Sequence, residues 1–141
     1  MTEHPRWLMK SEPNKYSFDD LLRDGQTIWD GVRNAQAAIY LRSMKLGDRA
    51  FFYHSNKGLA VVGIMKVVRE HYPDPGDPSG RFVAVDVAPV GPMPRPVELK
   101  TMKATPSLKD MAMFRQFRLS VCPITEAEWQ VICDLGGWRE P

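Results

Sequence analysis

The chain has 141 residues, 43% hydrophobic and 26% charged, with a formal net charge of +2. This length predicts one domain over residues 1–141, able to bury a core without disulfide or metal staples. The balance excludes disorder, collagen and coiled coil, and no apolar run approaches the ~20 residues of a membrane helix or has the form of a secretory signal.

Residues 6–10 read as a first strand. Ser17 and Asp20 form a capping-box variant that opens a helix carrying Phe18, Leu21 and Leu22, and Gly25 is placed to end it. Residues 27–31 read as an extended segment and turn. Asn34 can cap a second helix over residues 35–44, rich in alanine. The pattern then turns to β: residues 49–54, a turn at 55–58, and a long strand over 59–72. Both faces of that strand are apolar near its start, and Gly63 marks a bend or a close approach.

Residues 73–80, Pro-Asp-Pro-Gly-Asp-Pro-Ser-Gly, predict a surface loop. Residues 82–90 read as a strand. Pro89, Pro92, Pro94 and Pro96 argue against regular pairing beyond it, with an edge strand over 97–102. Thr105-Pro106 predicts a short helix to about residue 111. Residues 118–122 read as the last strand. Thr125 and Glu128 form a full capping box for a final helix, with Trp129, Ile132 and Cys133 inward and Gly136 at its end. Strands and helices do not alternate as βαβ units, so the expected class is α+β: a curved, mostly antiparallel sheet or barrel with helices around it.

Two cysteines, Cys122 and Cys133, make no disulfide framework, and His4, His54 and His71 form no metal-binding pair, so no metal is expected. No phosphate-binding or dinucleotide-binding glycine loop is present, so no cofactor is expected. The net charge is mild but uneven. Residues 95–118 hold six basic and two acidic residues; residues 126–141 hold one basic and four acidic. A basic stretch of this kind can neutralise phosphates or form a solvated surface.

Three clusters combine polar, charged and aromatic groups: Lys10-Ser11-Glu12 at the exit of the first strand, Trp29 to Asn34 around Gly31, and Tyr53-His54-Ser55 at the end of the third extended run. Loops and strand ends on a rigid scaffold are where binding groups concentrate. Each cluster also has a plain structural reading. Lys10 and Glu12 can be a solvated pair, Trp29 and His54 core residues, Asn34 a helix cap and Arg33 an exposed cation. Together they offer a stacking ring, an amide and small hydroxyls, the groups that hold a planar heterocycle. A catalytic reading has less support, since neighbours on a strand face opposite ways and Cys122 lies within a strand pattern.

The segments WLMKSEP (7–13), YSF (16–18), WDGVRNAQA (29–37), LRSMKLGD (41–48), FFYHS (51–55), VVGIMKV (61–67), YPDP (72–75) and RLSVCPI (118–124) resemble the EVE domain family over roughly residues 5–133. The resemblance implies a PUA-like fold and a nucleic-acid-binding reader that takes a modified base, a modified cytosine in DNA or a base in modified RNA, by base flipping. Carried over by motif, the base pocket uses Lys10, Ser11, Glu12, Trp29, Asn34, Tyr53, His54 and Ser55. Arg33 and Arg118 fall at the backbone or the rim; Lys109, from the basic stretch, joins them as a backbone contact. Ala38 departs from the pattern where a basic residue is expected. Two other classes stay open: a small hydrolase acting on a modified pyrimidine with Lys10 and Glu12 as its working pair, and a module for small molecules or proteins. The expected partner is nucleic acid rather than membrane. The expected location is the cytoplasm, or the nucleus in a eukaryote.

Overall fold

The computed structural model describes residues 6–139, which form six strands, five α-helices and one 3-10 turn. In chain order these are β1 (Arg6–Ser11), α1 (Phe18–Asp24), β2 (Thr27–Trp29), α2 (Ala35–Ser43), β3 (Arg49–His54), β4 (Ala60–Pro73), β5 (Val83–Glu98), α3 (Leu99–Lys103), the 3-10 turn (Pro106–Leu108), α4 (Ala112–Arg115), β6 (Val121–Ile124) and α5 (Glu126–Gly136).

The strands make one sheet in the order β2-β5-β4-β3-β1-β6. Four of the five pairings are antiparallel; β1 and β3 run parallel. Helix α2 touches both β6 at one edge and β5 near the other, so the sheet curls strongly around it. The expected α+β class, curved antiparallel character and peripheral helices are present. Closure is not: among the described residues no pairing joins the edges β2 and β6, and the sheet is an open, mixed one.

Local chemistry explains the boundaries. Both capping boxes form, Ser17 with Asp20 and Thr125 with Glu128, each leaving two N-terminal N–H groups bonded. The four prolines of β5 do not end it. Beyond Val87 the strand pairs with β4 on one side and, among the described residues, with no strand on the other, and an edge tolerates missing N–H groups. Register shifts along β4 and β5 absorb the irregularity. The expected edge strand at 97–102 is instead the end of β5 followed by α3, which buries Leu99 and Met102. Thr105 does not cap: its hydroxyl donates back to the Thr101 carbonyl at 2.7 Å, and only a single 3-10 turn follows. The last strand begins at Val121, three residues later than expected, and includes Pro123 because β6 is an edge.

The core lies between the sheet and its helices. Trp129 of α5 stacks on Phe51 of β3 at 3.9 Å between centroids. On the other face Phe52 makes T-shaped contacts with Phe18 and Trp29, each at 5.4 Å between centroids. The Phe18 ring lies flat over Gly63 in the middle of β4, in the space a Cβ there would fill. Gly63 is thus the close approach that the sequence suggested.

Candidate nucleic-acid interface

The turn after β2 carries the first half of the site. Gly31 takes φ of +76°, a left-handed conformation that favours glycine, and this reverses the chain between Trp29 and Asn34. Asp74, only 2% exposed, braces the turn from the distant proline-rich loop. Its Oδ2 accepts the Gly31 N–H and Arg33 Nη1, both at 2.8 Å, and its Oδ1 accepts the Gly76 N–H at 2.7 Å. Burial alone would raise the Asp74 pKa; the Arg33 bond and the two N–H groups outweigh it and hold the carboxyl below its ordinary value. Asp77 organises the rest of the loop. It accepts from Ser79 and from the N–H groups of Arg81 and Phe82, and its pKa falls to about 2.

Asn34 caps α2, its Oδ1 accepting the Ala37 N–H at 2.9 Å. The side chain is exposed, and its Nδ2 has no partner among the described residues. Trp29 is only 7% exposed, its ring at 84° to that of Phe52, so it is a wall ring anchored in the core rather than one presented on a turn. Trp29, Gly31 and Asn34 line a cavity of about 750 Å³, which Lys10, Ser11 and Lys15 border from the first strand exit.

The second half gathers where β1 and β3 end side by side. Lys10 is paired with Tyr53 and Ser11 with His54. A second cavity of about 520 Å³ holds Glu12, Tyr53, Ser55, Phe117 and Arg118. It shares Lys10, Ser11, Lys15 and Ser120 with the first, so the two are neighbouring chambers with a common ridge. Lys10 Nζ donates to the Phe117 carbonyl at 2.6 Å and lies 4.8 Å from the Phe117 ring and 5.9 Å from that of Tyr53. Burial lowers its pKa from the ordinary lysine value. The Tyr53 hydroxyl is buried, unbonded and pushed up to about 12, so it stays a proton donor. Ser11 donates to the Tyr16 carbonyl at 2.6 Å.

Seven of the eight expected base-pocket residues therefore come together, divided between two chambers. His54 does not. Its Nε2 accepts the Phe18 N–H at 3.1 Å, capping α1, and it lines neither chamber. Among the expected backbone contacts, Arg118 borders the second chamber and Arg33 the first, although Arg33 is committed to Asp74. Lys109 is exposed and borders neither. Lys10 and Glu12 are not a pair: Glu12 meets Lys15 at 3.1 Å. Ala38 is buried, so a basic side chain there would meet the core, not a phosphate. Cys122 is buried with its thiol pKa pushed up to about 11 by burial, an inert thiol. Among the described residues no three His, Cys, Asp or Glu side chains are grouped to hold a metal ion. His4 and Glu140 lie outside the described residues. No described helix is long and apolar enough to cross a membrane.

The sequence reading missed Asp74, Lys15, Ser120 and Phe117. Two had a signal. Asp74 sits in the YPDP segment, and Phe117 lies between Arg115 and Arg118, an aromatic within a basic stretch.

An open, curled, mostly antiparallel sheet with peripheral helices and a groove at the paired ends of β1 and β3 defines an α+β protein of PUA-like fold. The EVE domain model matches residues 5–135, and the chain belongs to that family. The thymocyte nuclear protein 1 of the rat is 44% identical, over 92% of this chain and 72% of its own. A Rhodopseudomonas palustris protein solved by NMR is 47% identical, with a TM-score of 0.91 over 97% of this chain and 96% of its own. Human THYN1 protein, solved in complex with DNA containing 5-methylcytosine, is 38% identical with a TM-score of 0.89, over 97% of this chain and 99% of its own.

Proposed function

We propose that this protein binds nucleic acid, DNA or RNA, and receives one flipped modified base, a modified cytosine, in the Trp29 chamber. The observation that carries the reading is the pairing of an aromatic wall with a free amide donor. Trp29 offers a stacking surface, and Asn34, its oxygen occupied by the helix cap, offers Nδ2 to the edge of a base. Stacking is indifferent to base identity, whereas hydrogen bonds to the edge select it. Lys10 and Lys15 at the mouth suit the phosphates on either side of the flipped nucleotide. The human relative's complex with methylated DNA supports the ligand class.

The hydrolase alternative rested on Lys10 working with Glu12. Lys10 is bonded to a carbonyl and Glu12 to Lys15, so the reader is the better reading. The test is a binding series on matched DNA and RNA strands in which one modified base is the only difference. A clear preference for the modified strand is expected; equal affinity for both members of every pair sinks the proposal. The same protein incubated with modified nucleosides should yield no new product by mass.

A further inference from the structure

The residues that the sequence groups into a single pocket fall on both sides of a ridge made by Lys10, Ser11 and Ser120. The base reading uses one side. The second chamber has its own walls and its own unused chemistry.

We propose that the second chamber is a subsite for the nucleotide adjacent to the flipped one: its base stacks on Phe117, its polar edge accepts the Tyr53 hydroxyl, and Lys10 on the ridge holds the phosphate between the two. The subsite rests on the base-pocket reading above.

Three features support it. Phe117 is 52% exposed, although large aromatic side chains normally bury most of their surface. Its carbonyl accepts Lys10 Nζ at 2.6 Å, and the ammonium groups of Lys10 and Lys103 lie 4.8 Å and 5.8 Å from the centre of its ring. An exposed ring beside cations is a stacking platform for single-stranded nucleic acid.

Tyr53 supplies the second feature. The residue is 1% exposed, lines the chamber, and its hydroxyl has no partner. Buried polar groups are nearly always bonded, and an orphan calls for a missing partner. A tyrosine hydroxyl held protonated can donate to an acceptor that enters the chamber. The carbonyl oxygens and ring nitrogens of bases are such acceptors.

The third feature is the ridge. Lys10 has three N–H donors, and the Phe117 carbonyl uses one. Two remain, at the boundary between the chambers. A chain with one base in each chamber must carry its linking phosphate across that boundary, beside the cation. Arg118 at the outer rim extends the positive surface in the same direction.

The test uses the full chain and a single-stranded DNA pentanucleotide with 5-methylcytosine at its centre and thymine elsewhere. Two further probes lack the base, but keep the sugar and phosphate, at the position 5′ or 3′ of the centre. Wild type is expected to lose about 5- to 150-fold in affinity on one of these two probes, the range of one base–aromatic stack. Phe117→Ala should bind the intact strand with a loss of similar size and should not distinguish it from that abasic probe. Tyr53→Phe, which keeps the packing, should lose about 3- to 10-fold, as for one hydrogen bond. Both variants should keep the wild-type ratio between methylated and unmethylated strands.

The subsite is overturned if wild type ignores both abasic changes, or if Phe117→Ala still loses as much on them as wild type does. If either variant abolishes the preference for the methylated centre, the second chamber is the base pocket itself and the subsite falls while nucleic-acid reading stands. If wild type shows no preference for any modified strand, the base-pocket reading fails and takes the subsite with it.

Discussion

Arg33 and Asp74, 41 residues apart in the chain, meet at 2.8 Å and tie the turn that carries Trp29 and Asn34 to the proline-rich loop after β4. The carboxylate also holds the N–H groups of Gly31 and Gly76, so one buried side chain sets the backbone of the turn. The mouth of the Trp29 chamber depends on a residue that lies outside it.

Asp74→Asn should therefore lower stability by about 1–2 kcal/mol, since donors that lose an ionised acceptor can turn partly to water. It should also weaken binding of a modified strand. The pH dependence has a definite sign. Asp74 has a depressed native pKa, so its stabilisation is complete above the ordinary carboxylate value of about 3.9 and is lost as the pH falls through the native value. Urea unfolding of both proteins should show a gap that is constant from pH 5 to 7 and shrinks below about pH 4. A gap that does not change with pH would mean that the ion pair contributes nothing.

Gly63 gives a prediction about the core. A methyl group there would overlap the ring of Phe18, which is wedged between β4 and Phe52. Gly63→Ala should cost about 1–3 kcal/mol by overpacking. Because Phe18 begins α1, the loss should appear also as weaker amide-exchange protection in that helix. A variant as stable as wild type would show that the ring moves freely.

Local signals were the ones legible in the sequence. Both capping boxes, the Asn34 cap and the Gly63 approach depend on residues close in the chain or on a missing side chain, and each reads directly. The course of β5 does not, because a proline is tolerated only where no second strand pairs, and pairing is a property of the whole sheet. The site divides in the same way. Residue types at the ends of β1 and β3 pointed to the groove, but the ridge between its chambers depends on the parallel pairing of these strands with Ser120 beside them. His54 had the right type and position for the site, and its direction was set by a helix terminus 36 residues away.

His54 titrates with a sign opposite to that of a paired histidine. Burial lowers its pKa, with the charge of Asp19 opposing, so the fold favours the neutral ring whose Nε2 accepts from Phe18. Its contribution is complete above the ordinary value of about 6.5 and is lost as the pH falls through the lowered native value. His54→Gln places an amide oxygen near the same N–H and does not titrate. The stability difference between wild type and His54→Gln should shift against wild type below about pH 6.5. Since both proteins keep His4 and His71, a difference that stays level from pH 8 to 5 removes the capping role.

Salt should separate phosphate contacts from base contacts. Affinity for an oligonucleotide should fall with ionic strength along a slope equivalent to about 2–5 phosphates. Arg118→Glu should weaken modified and unmodified strands alike, because Arg118 stands at the rim of the second chamber. Lys109→Glu should have the smaller effect, since Lys109 borders neither chamber. Binding that ignores salt would make the basic stretch a solvated surface only.

Asn34 holds two roles in one amide, and they can be taken apart. Its oxygen caps α2; its nitrogen is left for the base. Asn34→Ala removes both and should cost about 1 kcal/mol of stability together with the preference for the modified strand. Asn34→Asp keeps the acceptor, adds a charge favoured at a helix N-terminus, and removes the donor. It should therefore fold as well as wild type and still lose preference for the modified base. Trp29 allows no such separation by truncation, since its ring is part of the core and its removal would cost about 3–5 kcal/mol. Trp29→Phe is the usable change there, and it should reduce affinity while leaving the preference largely intact. Thermal melts and matched-strand titrations on Asn34→Ala and Asn34→Asp decide the matter. If Asn34→Asp retains the full wild-type preference, the amide is a cap alone and the base edge is read by another group.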